Sequence, residues 1–332
     1  TRRHARLGPP MRAILWLGAT AILTALIGLA VGAVPLPPGD VLAGLLSPEA
    51  PSAAIVREIR LPRVLLAFLV GGSLGVSGAA LQALVRNPLA DPFLLGISGG
   101  AGLAAVVAMG LGLAGPWGVP LAALAGGLGA VMLVYRLSTV AGRPLDPRVL
   151  VLAGVVVSAF TGALMTAVLT LSTAEALRNA FLWLLGGFSA ASWRTVTVFS
   201  VYAVVPLLGL IGSARALDLL SLGEEPAQSL GLDAPRARRI VYLATSLLTA
   251  ASVAVCGVVG FVGLIAPHAM RGLLGPAHRR LLPAVFLASG SFLVLADAVA
   301  RTVARPLELP VGVITALVGV PLFAVLLHRS LR

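Results

Sequence analysis

The chain has 332 residues, of which 58% are hydrophobic and only 11% charged, and its mean hydropathy is +1.02. Soluble domains carry about 25% charged residues, so this composition excludes a water-soluble fold. A net charge of +12 would suit a nucleic-acid partner, but the placement of the charges argues for membrane topology instead.

Apolar runs of about 20 residues recur from end to end, each long enough to cross a roughly 30 Å hydrocarbon core. Ten spans are predicted: 13–33, 64–85, 92–113, 117–137, 149–171, 193–212, 240–257, 258–270, 281–300 and 309–327. The expected fold class is therefore all-α: one polytopic transmembrane domain over 1–332, with about ten transmembrane helices and some short or re-entrant segments. All 24 basic residues are arginines. With residues 1–12 taken as a cytoplasmic tail, seventeen fall inside and seven outside. That bias puts both termini in the cytoplasm of a multi-pass inner-membrane protein. Gly (38) and Ala are abundant and aromatics few, which predicts closely packed helices.

In chain order, the first run is too long for the apolar core of a signal peptide and reads as a retained span. Residues 34–63 form an external segment that ends in Arg57, Arg60 and Arg63 at helical spacing. The second span carries a small-residue face from Gly71 to Gly78. The sequence RNPLADP at 86–92 reads as a rigid cytoplasmic turn. After the fifth span, Ala180–Phe188 is too short to cross and reads as a helix that dips in and returns through Gly186–Gly187. The segment 256–275 is also short and glycine-rich. A helix is expected to start near 260–263 and to end at a Pro267-His268 turn, because proline breaks helix interiors. Cys256, the single cysteine, excludes an internal disulfide and reads as a small packed residue.

Catalytic signatures are missing. No HExxH or P-loop motif is present, and none of the four histidines pairs with a carboxylate on its own span. Asp297 is the only acid inside a predicted span, and it lies near the outer end. Ion-coupled carriers place ionisable groups at mid-membrane, so a self-sufficient secondary transporter is disfavoured and an external energy source is expected. The polar stretch 213–239 supplies a place for it. Leu222, Gly223, Glu224, Glu225, Ala227, Leu230 and Gly231 fit a short cytoplasmic helix with acids at its N-terminal end and glycine as its stop, although a solvated connector would also fit.

The run Glu225-Pro226-Ala227-Gln228-Ser229-Leu230-Gly231 resembles the coupling loop of ABC-transporter permeases, with Pro226 replacing an alanine. Residues 59–102, 260–271 and 296–329 are similar to permease subunits of type II ABC importers, which take up iron–siderophores, heme and cobalamin. The resemblance implies a homodimer in the membrane, two cytoplasmic ATPase subunits and a periplasmic substrate-binding protein. It implies ATP and Mg in those ATPases, no cofactor, metal or catalytic residue in this chain, and no nucleic-acid partner. It assigns ATPase coupling to 222–231 and binding-protein docking to Arg60, Arg63 and Arg301, which would otherwise anchor helix ends. It assigns a cytoplasmic gate to Asn87 and Leu89 and to Asp146 and Pro147, turns that also read as helix caps. Arg178 is implied to face the pathway mouth, where an arginine would meet an acidic ligand group. That hint makes heme the first expectation for the cargo, with cobalamin or a ferric siderophore as the alternative.

Overall fold

The structure is a computed structural model that describes residues 9–32, 34–113, 117–140, 142 and 145–330. Most of the expected tail 1–12 lies outside them. The helices are α1 (Pro9–Ala30), α2 (Pro38–Leu46), α3 (Leu61–Val85), α4 (Ile97–Gly110), α5 (Gly118–Val140), α6 (Pro147–Thr170) and α7 (Ala174–Leu184). They continue with α8 (Trp193–Gly212), α9 (Ala214–Leu222), α10 (Glu224–Ser229), α11 (Ala234–Cys256), α12 (Val262–Leu274), α13 (His278–Ala300) and α14 (Val311–Ser330). A π turn, Ile55–Arg60, runs directly into α3, and a 3-10 turn, Pro92–Leu95, precedes α4. Among the described residues there is no strand.

Among the described residues, seven helices are long and apolar enough to cross a membrane. They correspond to seven of the ten predicted spans. The third predicted span is shorter than expected. Asp91 caps the 3-10 turn at Phe93 N, Gly96 turns left-handed (φ 77°), and the helix proper starts only at Ile97. The fourteen residues of α4 reach about 21 Å at 1.5 Å per residue, less than a full bilayer core.

The central element is α3. In its apolar window 83% of the residues are buried, against 22–28% for α1, α5, α6 and α8. Its small residues admit α13, α12, α11 and α8 around it. At the α3–α13 crossing, Phe286 lies against Gly72 and Phe68 against Gly290, and the two rings meet edge-on with centroids 5.7 Å apart. At the α3–α12 crossing the backbones nearly touch: a β-carbon on Gly78 would sit 1.8 Å from Gly263 O. Such approach is how small residues hold membrane helices together without a hydrophobic driving force.

The expected end of a helix at Pro267 is corrected: α12 continues through Pro267 to Leu274. Proline at this position leaves the carbonyl four residues earlier, Gly263 O, without its usual donor. Gln82 Nε2 on α3 donates to that carbonyl at 3.3 Å, so the lost bond is replaced from outside the helix.

The predicted dip is present, with its helix starting earlier than expected, at Ala174 behind an N-cap from Thr173. The chain returns at Gly186 (φ 72°), as anticipated. There three helix breaks cross backbone to backbone. Gly187 N donates to Cys256 O (2.8 Å), Val311 N to Gly186 O (3.0 Å) and Gly312 N to Leu185 O (3.1 Å).

Gly78→Ala is expected to destabilise the protein by about 3 kcal/mol, because its methyl meets backbone that cannot rotate away. Gly209→Ala on α8 meets nothing within 4 Å and serves as the neutral control. Thermal unfolding in detergent compares the two, and equal midpoints would rule out the close crossing.

Candidate functional site

Two polar clusters lie at opposite ends of the bundle, one around Asp218 and one around Asp297. At the Asp218 end, α9 packs Ala214, Leu217 and Leu220 inward, with contacts to α3 and α13. Asp218 Oδ1 accepts from the His278 backbone N (2.9 Å) and contacts His278 Nδ1 (2.7 Å). A carboxylate from α9 thereby caps the N-terminus of α13, where the helix dipole favours negative charge.

Gly223 (φ 115°) turns the chain from α9 into α10. The two glutamates occupy the first turn of α10, and only Ala227 of its six residues is buried. Pro226 is harmless there, since N–H groups in a first turn have no helical acceptor to lose. Leu232 N bonds back to Ala227 O (3.0 Å), and Gly231 (φ 81°) completes the stop. Leu222 and Leu230 remain 62% and 57% exposed, with Glu225 exposed between them. Glu224 pairs with Arg238 at 2.9 Å, a half-exposed contact that contributes little to stability. The predicted coupling residues therefore form one knob, anchored by Ala227 and presenting two leucines and a carboxylate.

Both turns expected to form the gate reach this knob. The Arg86 guanidinium lies over Gly223, and Asn87 Oδ1 accepts from Leu89 N (2.9 Å), which closes the turn after α3. Asp146 caps α6 through Arg148 N (2.9 Å), with Pro147 at the first helical position. Leu145, Asp146, Glu224, Arg238 and Arg239 line one cavity of about 320 Å³. In the first turn, burial pushes the Asp91 carboxyl up to about 6, opposed by its bond from Phe93 N.

Gln82 and Arg271 were missed in the sequence. Gln82 is buried on α3. Its Nε2 donates to Ala90 O (3.1 Å) as well as to Gly263 O, and its Oε1 accepts from Arg271 on α12 (2.5 Å). One amide thus joins α3, the 86–92 turn and α12. The readable signal was a lone amide on a face otherwise built of small and apolar residues, since polar groups in membrane spans are costly unless partnered.

At the Asp297 end, two of the three arginines expected to dock the binding protein are buried. Arg60 is 5% and Arg301 4% exposed. Arg60 donates to Leu29 O (2.6 Å), Ala30 O (2.9 Å) and Val34 O, and Arg301 to Val31 O (3.0 Å) and Gly28 O (3.1 Å). Together they cap the C-terminus of α1, where carbonyls lack helical donors. Asp297 pairs with Arg63 and with Arg301, both at 2.9 Å, and Glu308 pairs with Arg63 at 3.0 Å. Arg57 caps α2 through Gly44 O and Leu45 O, while Glu58 and Arg305 stay exposed. Arg178 is exposed on α7 and makes no ion pair among the described residues. No group of three or more potential metal ligands occurs among the described residues.

Asp297→Ala leaves Arg63 and Arg301 facing each other without the acid, and is expected to cost about 3–5 kcal/mol. Reversible unfolding in mixed detergent measures it, and a loss under about 1 kcal/mol would show that the cluster is solvated. Gln82→Leu keeps the volume but removes every polar bond of the amide, leaving two carbonyls and Arg271 unpaired. A loss of about 1–3 kcal/mol per orphaned group is expected, read as a lowered unfolding midpoint that Gln82→Glu, which keeps the Arg271 contact, restores in part.

The FecCD transport family model matches residues 20–329. The chain is 41% identical over 282 residues to an uncharacterized ABC transporter permease protein of Bacillus subtilis, covering 84% of this chain and 80% of the relative. It is 44% identical over 279 residues to the cobalamin import system permease protein of Halobacterium salinarum, covering 84% and 74%. It is 39% identical over 325 residues to the vitamin B12 import system permease protein of Salmonella arizonae, covering 97% and 95%. Among solved structures, a metal-chelate type ABC transporter in an inward-facing conformation superposes with a TM-score of 0.84 at 32% identity, covering 96% of this chain and 99% of that one. With a buried helix bundle and matches that span nearly its whole length, the chain belongs to the FecCD transport family and is a permease subunit of a type II ABC importer.

Proposed function

We propose that this permease carries cobalamin, or a corrinoid close to it, into the cytoplasm. The observation that carries the reading is the likeness to vitamin B12 permeases over 97% of the chain. Heme, the first expectation from sequence, loses precedence: it rested on Arg178 alone, whereas the relatives from Halobacterium salinarum and Salmonella arizonae are both named for cobalamin or vitamin B12. The metal-chelate type of the structural neighbour favours a ferric chelate as the second reading.

In this reading two copies of the chain enclose the pathway, and two ATPase subunits bind at the Asp218 end, which faces the cytoplasm. The knob built on Leu222, Glu225 and Leu230 inserts into a cleft of the ATPase. Its buried anchor Ala227 and the Asp218–His278 contact transmit the ATPase's movement to α3 and α13. The turns at Asn87 and Leu89 and at Asp146 and Pro147, which lie near the knob, open and close the cytoplasmic exit. A substrate-binding protein docks at the Asp297 end. Because Arg60, Arg63 and Arg301 are directed into the protein, the docking charges are the exposed rim around them, Arg305 and Glu58, and the buried trio holds that rim in place. ATP and Mg belong to the ATPase.

Reconstitution with the cognate ATPase and binding protein tests the cargo. ATP-dependent accumulation of labelled cobalamin is expected, and uptake of hemin or a ferric siderophore without cobalamin would overturn it. In the same vesicles, Glu225→Arg is expected to weaken ATPase association about tenfold, or ~1.4 kcal/mol, with the permease still folded. Unchanged association and uptake would remove the knob from the mechanism.

A further inference from the structure

Near the Asp297 end, α5, α8 and α11 leave a crevice of about 200 Å³ that the transport reading does not use. Leu124, Val198, Phe199 and Ala254 line its apolar walls. Trp117 and Arg194 border it as well. Arg194 is the second residue of α8, and Trp117 immediately precedes α5. Both helices are membrane spans, so both residues lie at the depth where aromatic and basic side chains meet lipid headgroups.

The Arg194 guanidinium carbon stands 4.4 Å from the Trp117 ring centroid. This cation–π contact orients the charge without neutralising it. Arg194 is exposed and forms no ion pair among the described residues. Farther along α8, Val201, Val205 and Leu208 are apolar and more than half exposed, as lipid-facing residues are. A strip of helix thus leads from a cation at headgroup depth, past a mostly apolar crevice, to an exposed apolar surface.

We propose that this crevice is a binding site for one anionic phospholipid per chain, with the phosphate on Arg194 and the start of an acyl chain along Val198 and Leu124. Charge complementarity selects the anionic headgroup, since no acid among the described residues pairs with the arginine. The apolar walls select a lipid over a free phosphate ion. The site stands apart from both polar clusters, so it is independent of the cargo.

Native mass spectrometry of the assembled transporter, titrated with phosphatidylglycerol and phosphatidylethanolamine of equal chain length, tests it. One phosphatidylglycerol per chain is expected, preferred about fivefold, the effect of one basic residue on an anionic lipid. Arg194→Gln abolishes the preference, lowering phosphatidylglycerol occupancy more than that of phosphatidylethanolamine. Val198→Phe fills the crevice and lowers occupancy by both lipids. Arg194 is a surface residue, so Arg194→Gln gives a decision even where Val198→Phe fails to fold. Equal binding of the two lipids by the unaltered protein, or an undiminished preference in Arg194→Gln, overturns the proposal. Displacement of the lipid by inorganic phosphate alone overturns it too, because the crevice would then contribute nothing.

Discussion

The free carbonyls at the end of α1 set the terms for one whole end of the molecule. A helix that stops within or near a bilayer leaves acceptors that water does not reach, and something must donate to them. Here Arg60 and Arg301, from the π turn before α3 and the end of α13, donate to carbonyls between Gly28 and Val34. Bringing guanidinium groups that close inside the protein calls for an acid, and Asp297 meets both Arg63 and Arg301. The presence of an acid in an otherwise apolar span follows from the way a neighbouring helix ends. The cluster also fixes where α1, α3 and α13 stand relative to one another, and through them the α3–α13 crossing at Phe68 and Phe286.

The opposite end uses polar contacts for another purpose. Asp218 holds α9 to the start of α13, while Gln82 holds α3 to both α12 and the turn before α4. The knob at α10 is therefore two contacts away from the most buried helix in the fold. Under the proposed coupling role, a displacement of the knob acts first on α9, which contacts both α3 and α13. The leucines that flank α10, Leu222 and Leu230, stay exposed, while its buried Ala227 fastens the knob to the bundle.

Much of this was legible in the sequence because the membrane simplifies it. Long apolar runs and glycine-marked returns identified the spans and the dip at Gly186, and the charge anomaly at 213–239 identified the knob. What was not legible depended on partners distant in sequence. Pro267 looked like a helix stop because its effect was judged within its own segment. The carbonyl it frees is answered by Gln82, 181 residues away. Arg60 and Arg301 were expected to meet a docking partner because their motifs resemble those of the importer family. Whether such an arginine turns in or out depends on whether another helix ends beside it with acceptors to spare, and only the fold shows that. Gly96 broke the third span by its left-handed backbone, a choice that a single glycine in an apolar run does not announce.

The crossing of Gly186, Gly257 and Gly312 bears on which parts of this chain tolerate exchange. A β-carbon on Gly257 would lie 2.2 Å from Trp183 O, and one on Gly312 would lie 2.2 Å from Leu185 O. The joint is made of main chain, so there is no side chain in it to exchange. A larger residue at either glycine would force the main chain itself to move, so in this chain the joint is a fixed point, while the exposed side of α7 beside it tolerates exchange.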